Sequence, residues 1–143
     1  MLKILVPLDG SDNADRAIAQ ILKLRAGGAE LELHLLNVQI PVDGHARSFV
    51  AADDLTSYHR EEGLAALAHA RQQLDAAGVP YRHHVVVGHV ADTIVRYARE
   101  QGCDKIVMGT HGRSGLLQLL MGSVASEVLL RSPVPVTLIR PAA

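Results

Sequence analysis

Tryptophan is absent from this 143-residue chain, and the other aromatics are one phenylalanine and three tyrosines. An interior built without large rings must be filled by Ala, Val, Leu and Ile, which suits helices packed on a Val/Ile-rich sheet. Cysteine occurs once, at Cys103. No internal disulfide can form, so a reducing compartment is expected. A redox role for that thiol would need a low pKa; a buried or helix-end thiol is the commoner case. Basic runs are missing too. The 14 Lys and Arg are scattered singly against 15 Asp and Glu, for a formal charge of −1. That balance argues against broad electrostatic binding to nucleic acid or to an anionic membrane. Long apolar runs are also lacking: the charge-free stretch from Ser114 to Ser126 falls short of the roughly 18 residues that suggest a membrane span. No secretory leader is expected, because strand-like LKILVPLDG opens the sequence. The expectation is a soluble, cytoplasmic protein.

What is present is enough for one core. The hydrophobic content is 48% and the length is close to the commonest size of a single domain, so residues 1–143 read as one unit. Short and long apolar periods alternate along it. LKILVPL (2–8) is a nearly continuous apolar run ending in Asp-Gly, as a buried parallel strand should. Ser11 or Asp12 can cap a helix whose stripe is Ala14, Ala17, Ile18, Ile21 and Leu22, stopped by Gly27-Gly28. A second strand runs over 32–38 and carries His34. Residues 39–51 lack periodicity and read as a surface loop. A helix over 52–77 follows, with Leu64, Leu67, Ala68, Arg71 and Leu74 along its stripe and Gly78-Val79-Pro80 as its stop. YRHHVVVG (81–88) is a third strand. The next helix turns Val90, Ile94, Tyr97 and Ala98 inward. DKIVMG is a fourth strand, 123–131 a helix, and PVPVTLIRP a fifth strand.

Strands alternating with helices imply a parallel sheet covered on both faces, a three-layer α/β domain. Right-handed crossovers leave few topologies, of which 3-2-1-4-5 leads. Its reversal falls between strands 1 and 4, and ligands in such sheets bind outside the carboxyl ends at that point. Those ends carry Asp9 and Gly109. In the last strand Pro133 and Pro135 lack N–H donors on one side. The sequence pattern therefore predicts an edge strand in which Val134, Val136 and Leu138 face the sheet and Thr137 and Ile139 face outward.

The segment GTHGRSGLLQLLMGS (109–123) places glycines at both mouths of an apolar stretch. Gly109 and Gly112 leave no side chain in a ligand's way. Gly122-Ser123 opens a helix whose first N–H groups lack intrahelical partners and carry the positive end of its dipole. The Ser123 hydroxyl can cap that helix or donate to a phosphate oxygen, and Arg113 adds positive charge. No Gly-Lys-Ser/Thr occurs anywhere, nor a compact G-x-G-x-x-G. Two readings stand: the glycines end a strand and start a helix, or they cradle a phosphate.

G-T-H-G, nine residues, then G-S resembles the G-x2-G-x9-G-S/T signature of the nucleotide-binding universal stress proteins. ILVPLDGS, IVMGTHGRSG and GSVASEVLLRSPVPVTLIR look like that family in the same order. The resemblance implies a Rossmann-like sheet similar to the adenine nucleotide alpha hydrolases. It further implies an ATP-binding, dimeric, cytoplasmic protein of stress survival with little or no turnover, pairing through 134–139. Pro7 and Asp9 resemble the residues under the adenosine, Asp9 toward the ribose, and Val38 the backbone contact to adenine. Met108, Gly109, Gly112, Arg113, Gly122, Ser123 and Val124 resemble the phosphate-side lining. A Mg²⁺ would be held mainly by the phosphates, with Asp9 in reach. Two alternatives are a dimeric interaction module without nucleotide and an enzyme of the nucleotide-hydrolase type.

Other signals weigh less. His83 and His84 are adjacent on a strand and point to opposite faces, so they cannot share an ion. His84 and His89 lack a carboxylate or cysteine to complete a tetrahedral set. His111 lies inside the glycine loop and either touches phosphate or faces water. Asp9 as the phosphoacceptor of a receiver domain fails, because the third strand ends Val-Val-Val-Gly and the fifth ends in Arg140 rather than lysine.

Overall fold

The computed structural model describes residues 1–11, 13–42, 51–111 and 121–141. Along it run β1 (Leu2–Pro7), α1 (Asn13–Ala26), β2 (Leu31–Gln39), α2 (Ala52–Ala76) and β3 (Tyr81–Val87). Then come α3 (Val90–Glu100), β4 (Lys105–Gly109), α4 (Ser123–Arg131) and β5 (Val136–Ile139). All pairings are parallel, and the sheet order is β3-β2-β1-β4-β5, the one expected from the alternation. Asp12, one of the two helix caps considered, lies outside the described residues. Ser11 accepts the Ala14 N–H through its carbonyl at 3.0 Å.

Successive β residues point to opposite faces, and the core divides accordingly. Ile4, Val6, Leu33, Leu35 and Val107 pack with Ile18 and Ile21 of α1 and Leu67 and Leu74 of α2. Leu5, Leu36, Ile106 and Met108 pack with Ile94 and Ala98 of α3 and Ala125 and Val128 of α4. Aliphatic side chains dominate both clusters, in keeping with the shortage of aromatics. Cys103 belongs to the second cluster, and burial pushes its thiol pKa up, which makes it unreactive. No helix among the described residues is long and apolar enough to cross a membrane.

Two sequence expectations are corrected. The buried stripe of α2 is His59, Gly63, Leu67, Ala70 and Leu74, whereas Ala68 is exposed and Leu64 and Arg71 are half-buried. Gly63 sets this rotation: a Cβ there would stand 2.6 Å from Val85 Cγ2, so the bare Cα lets the helix close onto β3. The second correction concerns β5, which begins at Val136 with both prolines ahead of it. Ile106 N–H donates to the Pro135 carbonyl (3.0 Å) and Thr110 N–H to the Ile139 carbonyl (2.9 Å). By alternation Thr137 and Ile139 turn their backbone to β4, and Val136 and Leu138 turn theirs outward. The polarity is the reverse of that expected, although the strand is an edge. A proline loses its donor but keeps its acceptor, and here the acceptor faces the sheet.

His34, 3% exposed on β2, is bound at both nitrogens: Nε2 lies 2.8 Å from Glu32 Oε2 and Nδ1 2.8 Å from the Tyr97 hydroxyl. The His34 hydrogen bond is the chief cause holding the Glu32 carboxyl below its usual range. Burial pushes the Tyr97 phenol up from 10 to about 12. Its neutral form is therefore favoured in the folded state. The resulting stability is complete below pH ~10 and is lost as pH rises toward 12. Urea midpoints measured from pH 9 to 11.5 should fall more steeply for the wild type than for Tyr97→Phe; parallel curves would contradict this.

Candidate functional site

β1 and β4 share the pairs Ile4–Lys105 and Leu5–Ile106, and both strands run on past them. The gap between their carboxyl ends opens into a cavity of about 520 Å³, within the range of small-molecule sites. Of the residues expected there, Pro7, Asp9, Val38, Met108, Gly109, Gly122, Ser123 and Val124 line it together. Gly112 and Arg113 lie outside the described residues. Among the described residues no lysine or arginine lines the cavity.

One wall is the end of β2. The Leu36 carbonyl accepts from Leu8 N–H (2.9 Å) on the β1 side, and the Gln39 carbonyl accepts from Gly88 N–H (2.9 Å) on the β3 side. Alternation turns the N–H and C=O of Val38 toward β1, at a level where β1 has ended. A donor and an acceptor thus face the cavity side by side. Their positions are fixed by a polar chain that sequence reading missed. Asn37 Nδ2 donates to the Leu8 carbonyl (2.8 Å), Gln39 Nε2 donates to Asn37 Oδ1 (2.7 Å), and His59 Nδ1 lies 3.4 Å from Gln39 Oε1. Asn37, 3% exposed between Leu36 and Val38, carried a visible signal: a buried strand position holding an amide needs partners. Asp9, after β1, accepts the Ser11 N–H at 2.9 Å through Oδ1, closing a turn around Gly10 at φ 83°.

The opposite wall is the start of α4. Gly122 is the N-cap, in extended conformation, with no side-chain cap bond. Ser123 is the first helical residue and does not hold the cap position. The Gly122 carbonyl accepts from Ser126 N–H at 3.0 Å, so the N–H groups of Ser123, Val124 and Ala125 stand at the open end. All three residues line the cavity. Gly122 itself has a local reason: its N–H donates to the Thr110 carbonyl at 2.7 Å, and a Cβ would stand 3.1 Å from that same oxygen. A side chain there would meet the end of β4. Gly109 likewise makes room for Asn13, whose Cγ would lie 3.0 Å from a Cβ at that position.

Asn13 was also missed. At the start of α1 and 9% exposed, it donates through Nδ2 to the carbonyls of Ile139 (3.1 Å) and His111 (3.4 Å). Its Oδ1 is buried without a partner, as is Nε2 of His111. His111 Nδ1 lies 2.9 Å from the Thr110 hydroxyl. Both Asn13 and His111 line the cavity.

Comparison with known proteins places this geometry. The universal stress protein YxiE of Bacillus subtilis is 30% identical over 96% of this chain and 98% of its own. The structure of protein MJ0577, of Methanocaldococcus jannaschii, superposes with a TM-score of 0.84 at 29% identity, covering 99% of this chain and 97% of that one. A universal stress protein solved in complex with cAMP superposes at 0.72 with 27% identity, covering 99% and 98%. The family profile of the universal stress proteins matches residues 1–140, and with the sheet order and the cavity already in hand the chain belongs to the universal stress protein family.

Proposed function

We propose that the chain binds an adenine nucleotide in this cavity, ATP with Mg²⁺ foremost, and serves as a dimeric, cytoplasmic stress-response regulator with little or no turnover. The observation that carries the reading is the pair of backbone ends facing one another: the open N–H and C=O of Val38 on one side and the uncapped start of α4 on the other. An adenine edge offers an amino donor and a ring acceptor, which suit Val38. Phosphate oxygens suit the α4 terminus. Asp9 lies between them for the ribose, and its carboxylate oxygen is a fitting ligand for a Mg²⁺ held mainly by phosphates. The cAMP complex of a relative of the same fold supports an adenine nucleotide.

The reading without nucleotide has its own support, because Gly109 and Gly122 have packing reasons to be glycine. Mass spectrometry of small molecules released from the denatured protein, followed by titration with ATP, separates the two. An absence of ATP binding at millimolar concentration with Mg²⁺ would leave the interaction module. Gln39 is tied through both amide atoms to Asn37 and His59, so it is not poised to orient a water as a fast ATPase requires. Steady-state turnover should fall below about 1 s⁻¹, the low end of ordinary enzymes; a rate in the ordinary range would promote the hydrolase alternative.

For the dimer we propose pairing of two copies along the outer edge of β5, where Val136 and Leu138 hold the unpaired backbone groups. Leu138→Pro should then weaken the dimer in light scattering more than Leu138→Ala, which removes side-chain packing alone. Equal effects, or a monomer at micromolar concentration in the wild type, would overturn it.

A further inference from the structure

Two buried polar atoms in the cavity, Asn13 Oδ1 and His111 Nε2, have no partner among the described residues, and the proposed function uses neither. Both stand beside the open end of α4. A Cβ on Gly122 would come within 3.6 Å of His111 Cα, and the Asn13 amide reaches the His111 carbonyl. A buried polar atom left unmatched is costly, so an occupant that matches these atoms binds with less opposition. The two atoms differ in what they can become. Asn13 Nδ2 is held by the Ile139 carbonyl at 3.1 Å; its amide cannot turn over without breaking that bond, and Oδ1 stays an acceptor for a ligand hydroxyl. His111 can become a donor at Nε2 while keeping its Nδ1 contact to Thr110.

We propose that His111 is a phosphate-binding residue of this cavity, donating from Nε2 to the anion and taking up a proton as the anion arrives. The proposal rests on the nucleotide reading above and adds to it a residue and a pH dependence. An anion within hydrogen-bond reach favours the imidazolium whichever tautomer the empty site holds. The Thr110 hydroxyl orients the ring: it lies 3.4 Å from the Ile139 carbonyl, to which it donates, and its oxygen then accepts from Nδ1–H. The other titratable groups on the described cavity wall are Asp9 after β1 and Tyr58 and Glu62 of α2. The lining residues of α1, α3, α4 and β2 add none.

A group whose pKa is raised in the bound state strengthens binding on the acid side, and that gain is lost as pH rises through the bound-state value. Each unit by which binding raises the ring's affinity for its proton strengthens ATP binding about tenfold at the acid limit. Calorimetric titration of the wild type with ATP, in buffers of different ionisation enthalpy at pH 7, should show fractional proton uptake. Adenosine should show none. From pH 6 to 8.5 the wild type should lose about fivefold more ATP affinity than His111→Gln, which keeps a donor in place but cannot titrate. The terminal phosphate of ATP titrates by itself near pH ~6, but equally with both proteins, so the difference belongs to His111. Superimposable pH profiles, or ATP binding without proton uptake, would overturn the proposal and leave nucleotide binding standing. A wild type that binds neither ATP nor adenosine at pH 6 would overturn both. Should His111→Gln fail to fold, the imidazole C–H resonances of His111, followed by NMR in the unmodified protein with and without ATP, read the protonation of that ring directly.

Discussion

Ser123→Ala should weaken ATP binding about ten- to a hundredfold and leave adenosine binding unchanged. The hydroxyl stands on the first residue of an uncapped helix, at the mouth of the cavity. It is therefore available to a phosphate oxygen, and hydrogen bonds to charged groups contribute about 1.5–3 kcal/mol, which at 1.4 kcal/mol per decade gives that range. Asp9→Ala should instead weaken ATP and adenosine alike, because the proposed role of its carboxylate, after β1 on the cavity lining, is to hold the ribose. Titration calorimetry of the three proteins with ATP, ADP and adenosine reads both effects. Equal loss of adenosine and ATP in Ser123→Ala would remove the hydroxyl from the phosphate subsite. Gly122→Ala is a poor probe by comparison, since its Cβ meets the Thr110 carbonyl and perturbs the strand end whether or not a ligand binds.

Gly63→Ala should lower folding stability by about 1–2 kcal/mol, although alanine is the better helix former by about 1 kcal/mol. The added methyl would stand 2.6 Å from Val85 Cγ2 and 3.0 Å from its Cβ. Val85 is β-branched and stiff at χ1, so α2 must move off the sheet, and overpacking of this kind costs about 1–3 kcal/mol. Val85→Ala, introduced second, should recover much of the loss. Urea denaturation of the four proteins of that cycle should give a coupling of about 1 kcal/mol or more. Additive effects would mean that the helix already has room.

The strand order was legible because β1 and β4 are nearly continuous aliphatic runs closed by Asp-Gly and Gly, and such runs can be buried only between two helical layers. The position of the cavity followed from that order. The phase of α2 was not legible: histidine and glycine at 59 and 63 do not register as core positions, yet His59 is held by Gln39 and Gly63 is buried for lack of a side chain. The polarity of β5 failed because missing donors were counted and remaining acceptors were not. Asn13 escaped notice as an ordinary polar residue near a helix start; its value comes from reaching Ile139, more than a hundred positions away in sequence.

The bond from Gly122 N–H to the Thr110 carbonyl brings the two ends of the intervening segment to one point. Strand end and helix start are thereby clamped to each other directly, not merely through the chain that joins them. Closure entropy grows only slowly with loop length, by about 0.6 kcal/mol per doubling, so most of the cost of bringing these two ends together is independent of how many residues separate them. The clamp makes β4 and α4 one mechanical unit at the mouth of the cavity.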